Sequence, residues 1–293
     1  MKTCLIRAFM IFSVIGVIAT VYVYHKAAIP APWGTGDLEV ERETFVSKLL
    51  TEGPAPQQYG TLTVPANARE VTYNSDGMQL KAWLSRNRTA GASPGVVFVH
   101  GGFAFSSADW EQTKTFREAG YVVLMPMLRG ENGGPGHYEA FYGEVDDVVA
   151  AGKYLASLHG IDRERIFLCG HSTGGTLTML ASMISSPFCA AASIGGSPDQ
   201  EMFFKSAPQI VPFDMGKPDE LAIRSPIRFP NSLRCPLYIL VGTTDYFFHF
   251  RSRQLADAAV ECGHECDFIT VDGDHLTSVP GALQTAIEIF SEF

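Results

Sequence analysis

The run Gly170-His171-Ser172-Thr173-Gly174-Gly175 sets a serine between two glycines, each two residues away, after the apolar stretch Ile166 to Cys169 and before a helix-compatible segment. A serine hydroxyl is a poor nucleophile until a base takes its proton, and a sharp strand-to-helix turn exposes it at the end of a sheet. Glycine on both flanks removes the Cβ atoms that such a turn would press into neighbouring backbone. The helix start beyond the serine then aims N–H groups at developing negative charge. The pattern predicts Ser172 as an acyl-transfer nucleophile. A chance glycine- and serine-rich turn would not explain the strand before it and the helix after it.

A nucleophilic serine needs a base, and the base needs an acid to orient it; behind a G-x-S-x-G elbow they follow in the chain order Ser, Asp or Glu, His. Asp245, in Gly242-Thr243-Thr244-Asp245, comes just past the apolar run Leu237 to Val241, at the strand edge where such sheets bind ligands. Its bland alternative is a turn former or helix cap. Asp214 and Asp219 are poorer candidates because they fall in a long irregular segment. His275 follows the next apolar run, Phe268 to Val271, and reaches the same edge. Of the eight histidines it alone is both downstream of Asp245 and just after a strand. His264 precedes that strand, and His249 follows Asp245 too closely. The oxyanion of acyl transfer needs two converging backbone N–H groups. Thr173 supplies one; His100-Gly101-Gly102-Phe103 supplies the other, with Gly102 the first choice and Phe103 the alternative. His100 itself is expected to be structural, hydrogen-bonded beneath the loop. This machinery needs no cofactor and no metal.

These residues depend on a sheet to hold them. Val71 to Tyr73 and Met78 to Leu84 flank the turn cluster Asn74-Ser75-Asp76-Gly77 and predict a hairpin. Buried strands are predicted at Val96 to Val99, Val122 to Met125, Ile166 to Cys169, Ala191 to Ile194, Leu237 to Val241 and Phe268 to Val271. Helices are predicted between them at Ser107 to Ala119, Gly143 to Leu158, Thr173 to Ile184, Phe250 to Glu261 and Gly281 to Phe290. The alternation means a doubly wound α/β domain over 70–293. Residues 196–230 are too long for a simple crossover and are expected to form a cap-like insertion whose Phe203, Phe204 and Phe213 line an acyl pocket or pack into the core. Residues 27–69, rich in Pro, Gly and Thr, are expected to be a linker with a short helix near Arg42 to Leu50.

The 293-residue chain is long enough for a substantial core. Its net charge of −9, without a Lys/Arg cluster, argues against nucleic acid as a partner. Lys2 and Arg7 precede an uncharged apolar run from Ala8 to Tyr24, and this predicts that residues 1–26 anchor the chain in a membrane with the catalytic part outside the cytoplasm. A signal peptide cleaved near Ala27-Ala28, or a buried helix, are the competing readings. Six cysteines show no regular framework. Cys262-Gly263-His264-Glu265-Cys266 lacks the second ligand pair of a structural metal site and reads as ordinary cysteines or one local disulfide. Asn87-Arg88-Thr89 is a glycosylation sequon whose use depends on the source and on export.

The elbow, the HGG loop, Leu128-Arg129-Gly130 followed by Gly133-Gly134 and Gly136, the run Gly143-Glu144-Val145-Asp146-Asp147-Val148, and Arg224-Ser225-Pro226-Ile227 ahead of Cys235-Pro236 stand in a specific order. Together they resemble the catalytic domain of the prolyl oligopeptidase family, within the α/β-hydrolase superfamily, across roughly Glu70 to Phe293. The resemblance implies an α/β-hydrolase fold, a mostly parallel doubly wound sheet with helices on both faces. It implies a serine hydrolase acting on carboxylic esters or on peptide and amide bonds, with a small-molecule ester or a short peptide as substrate. Residues 27–69 cannot form the β-propeller of the family's large peptidases, and the paired acidic residues of its dipeptidyl members are not seen. A catalytically silent scaffold that binds a ligand or partner would not need the complete Ser, Asp, His set. An enzyme like dienelactone hydrolase would carry cysteine where Ser172 stands. Oligomeric state is not legible.

Overall fold

The computed structural model describes residues 30–60, 62–86 and 91–293. The apolar run from Ala8 to Tyr24 and the sequon at Asn87 lie outside these residues. Among the described residues no helix is long and apolar enough to cross a membrane.

Eight strands form one sheet: β1 (Ala68–Ser75), β2 (Met78–Ser85), β3 (Ser93–Val99), β4 (Val122–Pro126), β5 (Ile161–His171), β6 (Ala190–Ile194), β7 (Leu237–Gly242) and β8 (Cys266–Val271). Their order is β1-β2-β4-β3-β5-β6-β7-β8. The β1–β2 hairpin and the β2–β4 pair are antiparallel, and the remaining pairs are parallel. This is the mostly parallel sheet of the α/β-hydrolase fold.

The central strands read as continuous apolar runs because both faces are covered. Val97 and Val99 face a core shared with helices α4 (Gly143–Ser157) and α5 (Thr173–Ala181), and Leu255 and Ala259 of α8 (Tyr246–Glu261) join it. Val96 and Phe98 face a second core, built with Trp110 of α2 (Ser107–Gln112), Phe116 of α3 (Lys114–Glu118) and Leu283 and Phe290 of α9 (Val279–Phe290). The helix expected over Ser107 to Ala119 is therefore two short ones that meet at Thr113. The helix expected from Phe250 starts earlier, at Tyr246, directly after Asp245. Residues 196–230 hold α6 (Gln200–Ser206), α7 (Pro218–Ala222) and two single 3₁₀ turns.

The linker expectation is corrected for residues 32–60. Its helix, α1, is Leu38–Thr44, set by an Asp37 cap that accepts from Glu39 and Val40 N–H, and not by the Arg42 to Leu50 run. Leu38 is fully buried. Asp37 and Glu39 pair with Arg234 at 2.6 and 3.3 Å. Further on, Ala55 N–H donates to the Gly130 carbonyl (3.0 Å) and Tyr59 N–H to Asn132 Oδ1 (2.8 Å). The segment runs beside the loops that follow β3 and β4. Its partners are far away in sequence, so local composition could not reveal them.

Candidate active site

Ser172 sits between the end of β5 and the start of α5 with φ +57° and ψ −117°, a conformation that costs a non-glycine residue energy and marks the nucleophile turn. A Cβ on Gly170 would collide with the Gly174 carbonyl, and one on Gly174 with the carbonyl of Val99 in β3. The flanking glycines are thus demanded by backbone-to-backbone contact. Ser172 N–H donates to the Ile194 carbonyl at 2.8 Å, pinning the turn to β6.

Asp245 and His275 arrive from the next two strands. Their loops are laced by backbone bonds, Thr243 N–H to the Val271 carbonyl (2.8 Å) and Thr244 N–H to the Gly273 carbonyl (3.0 Å). Asp245 is buried, and its Oδ2 lies 2.7 Å from His275 Nδ1; His275 Nε2 lies 3.0 Å from Ser172 Oγ. A carboxylate only accepts, so Nδ1 carries the proton and Nε2 is left to accept from the serine hydroxyl. This relay is the arrangement that general-base activation of a serine requires.

Three contacts that sequence reasoning missed fix the histidine. Phe248, in the first turn of α8, stacks on the imidazole with ring centroids 5.0 Å apart. His171 Nε2 donates to the His275 carbonyl at 3.0 Å. Gly195, at φ +58°, leaves room for the ring, since a Cβ there would stand 3.1 Å from Cε1 and Nδ1. Only the glycine left a mark in the sequence, in Gly195-Gly196 directly after β6.

Thr173 and the loop after β3 meet beside Ser172, where the Thr173 hydroxyl donates to the Gly102 carbonyl. Of the two candidates for the second oxyanion donor, Phe103 N–H is already engaged by Gln57 Oε1 at 3.2 Å. Gly102 N–H donates to no protein group among the described residues. Gly102 also needs its glycine, with φ +69°. His100 lies beneath this loop, where its Nε2 meets Glu131 Oε2 at 3.1 Å and its Nδ1 meets the Gly101 carbonyl at 3.0 Å. Burial alone would push its pKa down, but the charge and hydrogen bond of Glu131 outweigh burial and raise it to about 9.

The remaining candidates lie outside the relay. Phe204 and Phe213 are core residues that pack against each other at 5.5 Å, and Phe213 also lies under the Arg224 guanidinium at 4.1 Å. Phe203 packs partly against Phe141. Asp214 accepts from Gly216 N–H and Asp219 from Trp33 Nε1, both away from the relay. Cys262 and Cys266 are free thiols. Among the described residues no group of three or more His, Cys, Asp or Glu is placed to hold a metal ion. A small cavity of about 20 Å³ behind the oxyanion loop is lined by Phe103, Tyr138, Phe141, Leu177 and the buried Glu144.

A family model described as the prolyl oligopeptidase family matches residues 106–288. An uncharacterized peptidase of Bacillus subtilis (strain 168), YtmA, is 25% identical over 205 residues, 66% of this chain and 76% of that protein. An acylaminoacyl peptidase of Pyrococcus horikoshii superposes at TM-score 0.61 with 22% identity over 77% of this chain, and the chain spans only 41% of that protein. A Pyrococcus furiosus esterase superposes at TM-score 0.65 with 17% identity, over 84% of this chain and 98% of its own. At these identities the two structural likenesses speak for the fold alone.

Proposed function

The chain belongs to the prolyl oligopeptidase family, and from that premise we propose that it is a serine hydrolase that cleaves carboxylic ester or peptide and amide bonds through an acyl-enzyme on Ser172. The carrying observation is the relay from Asp245 Oδ2 to His275 (2.7 Å) and from His275 Nε2 to Ser172 Oγ (3.0 Å).

In this reading Ser172 Oγ attacks the substrate carbonyl while His275 Nε2 takes the hydroxyl proton, and Asp245 supports the resulting imidazolium. The tetrahedral oxyanion falls between the N–H groups of Gly102 and Thr173. His275 then delivers its proton to the leaving amine or alcohol, and the C–N or C–O bond breaks. Water, deprotonated by the same nitrogen, hydrolyses the ester on Ser172 and returns the enzyme. The polar groups serve both kinds of bond alike. A small-molecule ester or a short peptide fits this machinery, and the fold itself is shared with an acylaminoacyl peptidase and with an esterase.

A panel of chromogenic esters of rising chain length, set beside aminoacyl and dipeptidyl anilides, tests the reading and chooses the bond. Turnover of one series that vanishes in Ser172→Ala is expected. Turnover that survives in this variant defeats the proposal.

We also propose that residues 1–26 hold the catalytic domain at a membrane, on the extracytoplasmic side. The support is the uncharged run from Ala8 to Tyr24 behind Lys2 and Arg7. Full-length protein is expected in the membrane fraction. Recovery of uncleaved protein in the soluble fraction defeats the tether, and a mature N-terminus after Ala28 replaces it with a cleaved signal.

A further inference from the structure

The peptide unit joining Gly101 to Gly102 carries both the carbonyl that His100 Nδ1 reaches at 3.0 Å and the Gly102 N–H proposed for the oxyanion. A trans peptide points its C=O and N–H in opposite directions. Holding the carbonyl on the buried side therefore turns the amide hydrogen to the opposite side, away from the His100 ring. The His100 ring that does the holding is 2% exposed and stands between two groups that only accept, the Gly101 carbonyl and Glu131 Oε2. A ring with an acceptor at each nitrogen satisfies both only with a proton on each, that is, as imidazolium.

We propose that His100, held cationic by Glu131, is a positioning residue for the oxyanion hole, which locks and polarises the peptide whose N–H meets the oxyanion. This rests on the acyl-transfer reading of Ser172. A charged donor on the carbonyl makes the opposite N–H a stronger donor, because hydrogen bonds in series polarise one another. A buried cation behind the loop also favours negative charge in front of it. His100 keeps its proton throughout, and the proton that moves in catalysis stays on the Ser172–His275 path.

The groups facing His100 come from each element packed on it. Glu131 is fixed by Leu128 N–H, which donates to the same Oε2 at 3.0 Å, and Asp109 of α2 adds a second negative charge. Phe105 packs edge-on to the ring at 5.9 Å. Arg129, a neighbour of Glu131, commits its guanidinium to Asp76, Glu139 and Asp147. His171, on the far side of Gly101, has its pKa lowered by burial. The balance around His100 is thus negative, and the ring loses its charge only as pH rises through about 9.

Glu131→Gln keeps an acceptor for Leu128 N–H while removing the charge that holds the proton on His100. We expect kcat/KM at pH 8 to fall roughly tenfold, less than the ~10²–10³ seen when an oxyanion donor is deleted outright. An aldehyde inhibitor that places an oxyanion in the hole should weaken by the same factor, with KM nearly unchanged. The alkaline limb of kcat/KM, expected near pH 9 in the wild type, should move to lower pH. Nitrogen NMR of the wild type at pH 7.5 should show both His100 ring nitrogens protonated, a readout that does not depend on the variant folding. A neutral His100 at that pH, or a Glu131→Gln enzyme with rate and alkaline limb both unchanged, overturns the proposal. Turnover surviving in Ser172→Ala would overturn the underlying reading as well, and the two failures are told apart because the charge state of His100 is measured without turnover.

Discussion

Phe248 lies nearly flat on the His275 imidazole, ring centroids 5.0 Å apart and planes at 28°. One helix start thus delivers both the acid, Asp245 at its cap, and the plate on which the base rests. The stack keeps the ring in line with Ser172, and the aromatic face gains attraction when the imidazole becomes a cation during acyl transfer. Phe248→Ala should lower kcat about 2- to 30-fold, the rate equivalent of ~0.5–2 kcal/mol of cation–π interaction. KM should change little, because the loss falls on the transition state. Steady-state kinetics on a variant whose melting temperature is checked first decides it. An unchanged kcat would leave the orientation of the ring to its hydrogen bond to Asp245 and to the bond from His171 to its carbonyl.

The relay makes separate claims for each member. Ser172→Ala should abolish labelling by a fluorophosphonate probe, which reports an activated hydroxyl. Asp245→Asn should leave the fold intact and cut kcat by up to ~10⁴, since the imidazole is then held in the wrong tautomer. Ser172→Ala combined with His275→Ala should be about as slow as either alone, because the residues act as one unit. Probe labelling and turnover of the wild type, the three single variants and the double variant check all three statements. Full activity in Asp245→Asn would move the acid elsewhere and leave Ser172 standing.

What the sequence made legible follows from how local the cause is. The elbow was readable because Gly170 and Gly174 are fixed by collisions within one strand-turn-helix, and Asp245 and His275 because each follows its own apolar strand. The parallel sheet was readable because strands buried on both faces show as unbroken apolar runs. Phe248 was not, because nothing in Tyr246-Phe247-Phe248-His249-Phe250 says which ring meets a histidine on the next loop. Neither was the path of residues 32–60, whose anchors are Arg234, Gly130 and Asn132. For Phe204 and Phe213 residue type left pocket lining and core packing open, and burial against Phe141 and Arg224 gave them to the core. His100 was rightly placed under the loop, but its charge depends on Glu131, which no motif marks.

Arg129 offers a test of the loop that carries Glu131. Its guanidinium, only 7% exposed, spans Asp76, Glu139 and Asp147, each at 2.8 Å, and the Asp147 side chain is fully buried. Asp147 also accepts from Ser75 Oγ at 2.6 Å and from Arg129 N–H at 2.9 Å. Arg129→Met strands a buried carboxylate and should cost about 3–5 kcal/mol. Adding Asp147→Leu should recover much of the loss, because a buried pair replaced on both sides no longer leaves a lone charge. Chemical denaturation of the three proteins measures this. Equal stability of the wild type and Arg129→Met would show that the network contributes only geometry.

The last expectation concerns pH and a carboxyl outside the relay. Glu144, buried at the start of α4, accepts from Glu139 N–H through Oε1 at 2.6 Å, while its Oε2 has no hydrogen-bond partner among the described residues. Burial raises its pKa from 4.5 to about 7. The folded chain therefore binds this proton more tightly than the unfolded chain does. Its stabilising contribution is complete below pH 4.5 and is lost as pH rises to 7. His100 is raised from 6.5 to about 9, so its contribution has the same sign and is lost over that later window. Glu144→Gln keeps the acceptor for Glu139 N–H and cannot ionise. The variant should match the wild type near pH 4 and become progressively more stable than it between pH 4.5 and 7. The difference should stay constant above that range, where His100 acts on both proteins alike. Melting temperatures of both proteins across pH 4 to 9 supply the difference curve, in which carboxylates common to both cancel. A flat difference from pH 4.5 to 7 would mean that Glu144 is ionised in the fold throughout.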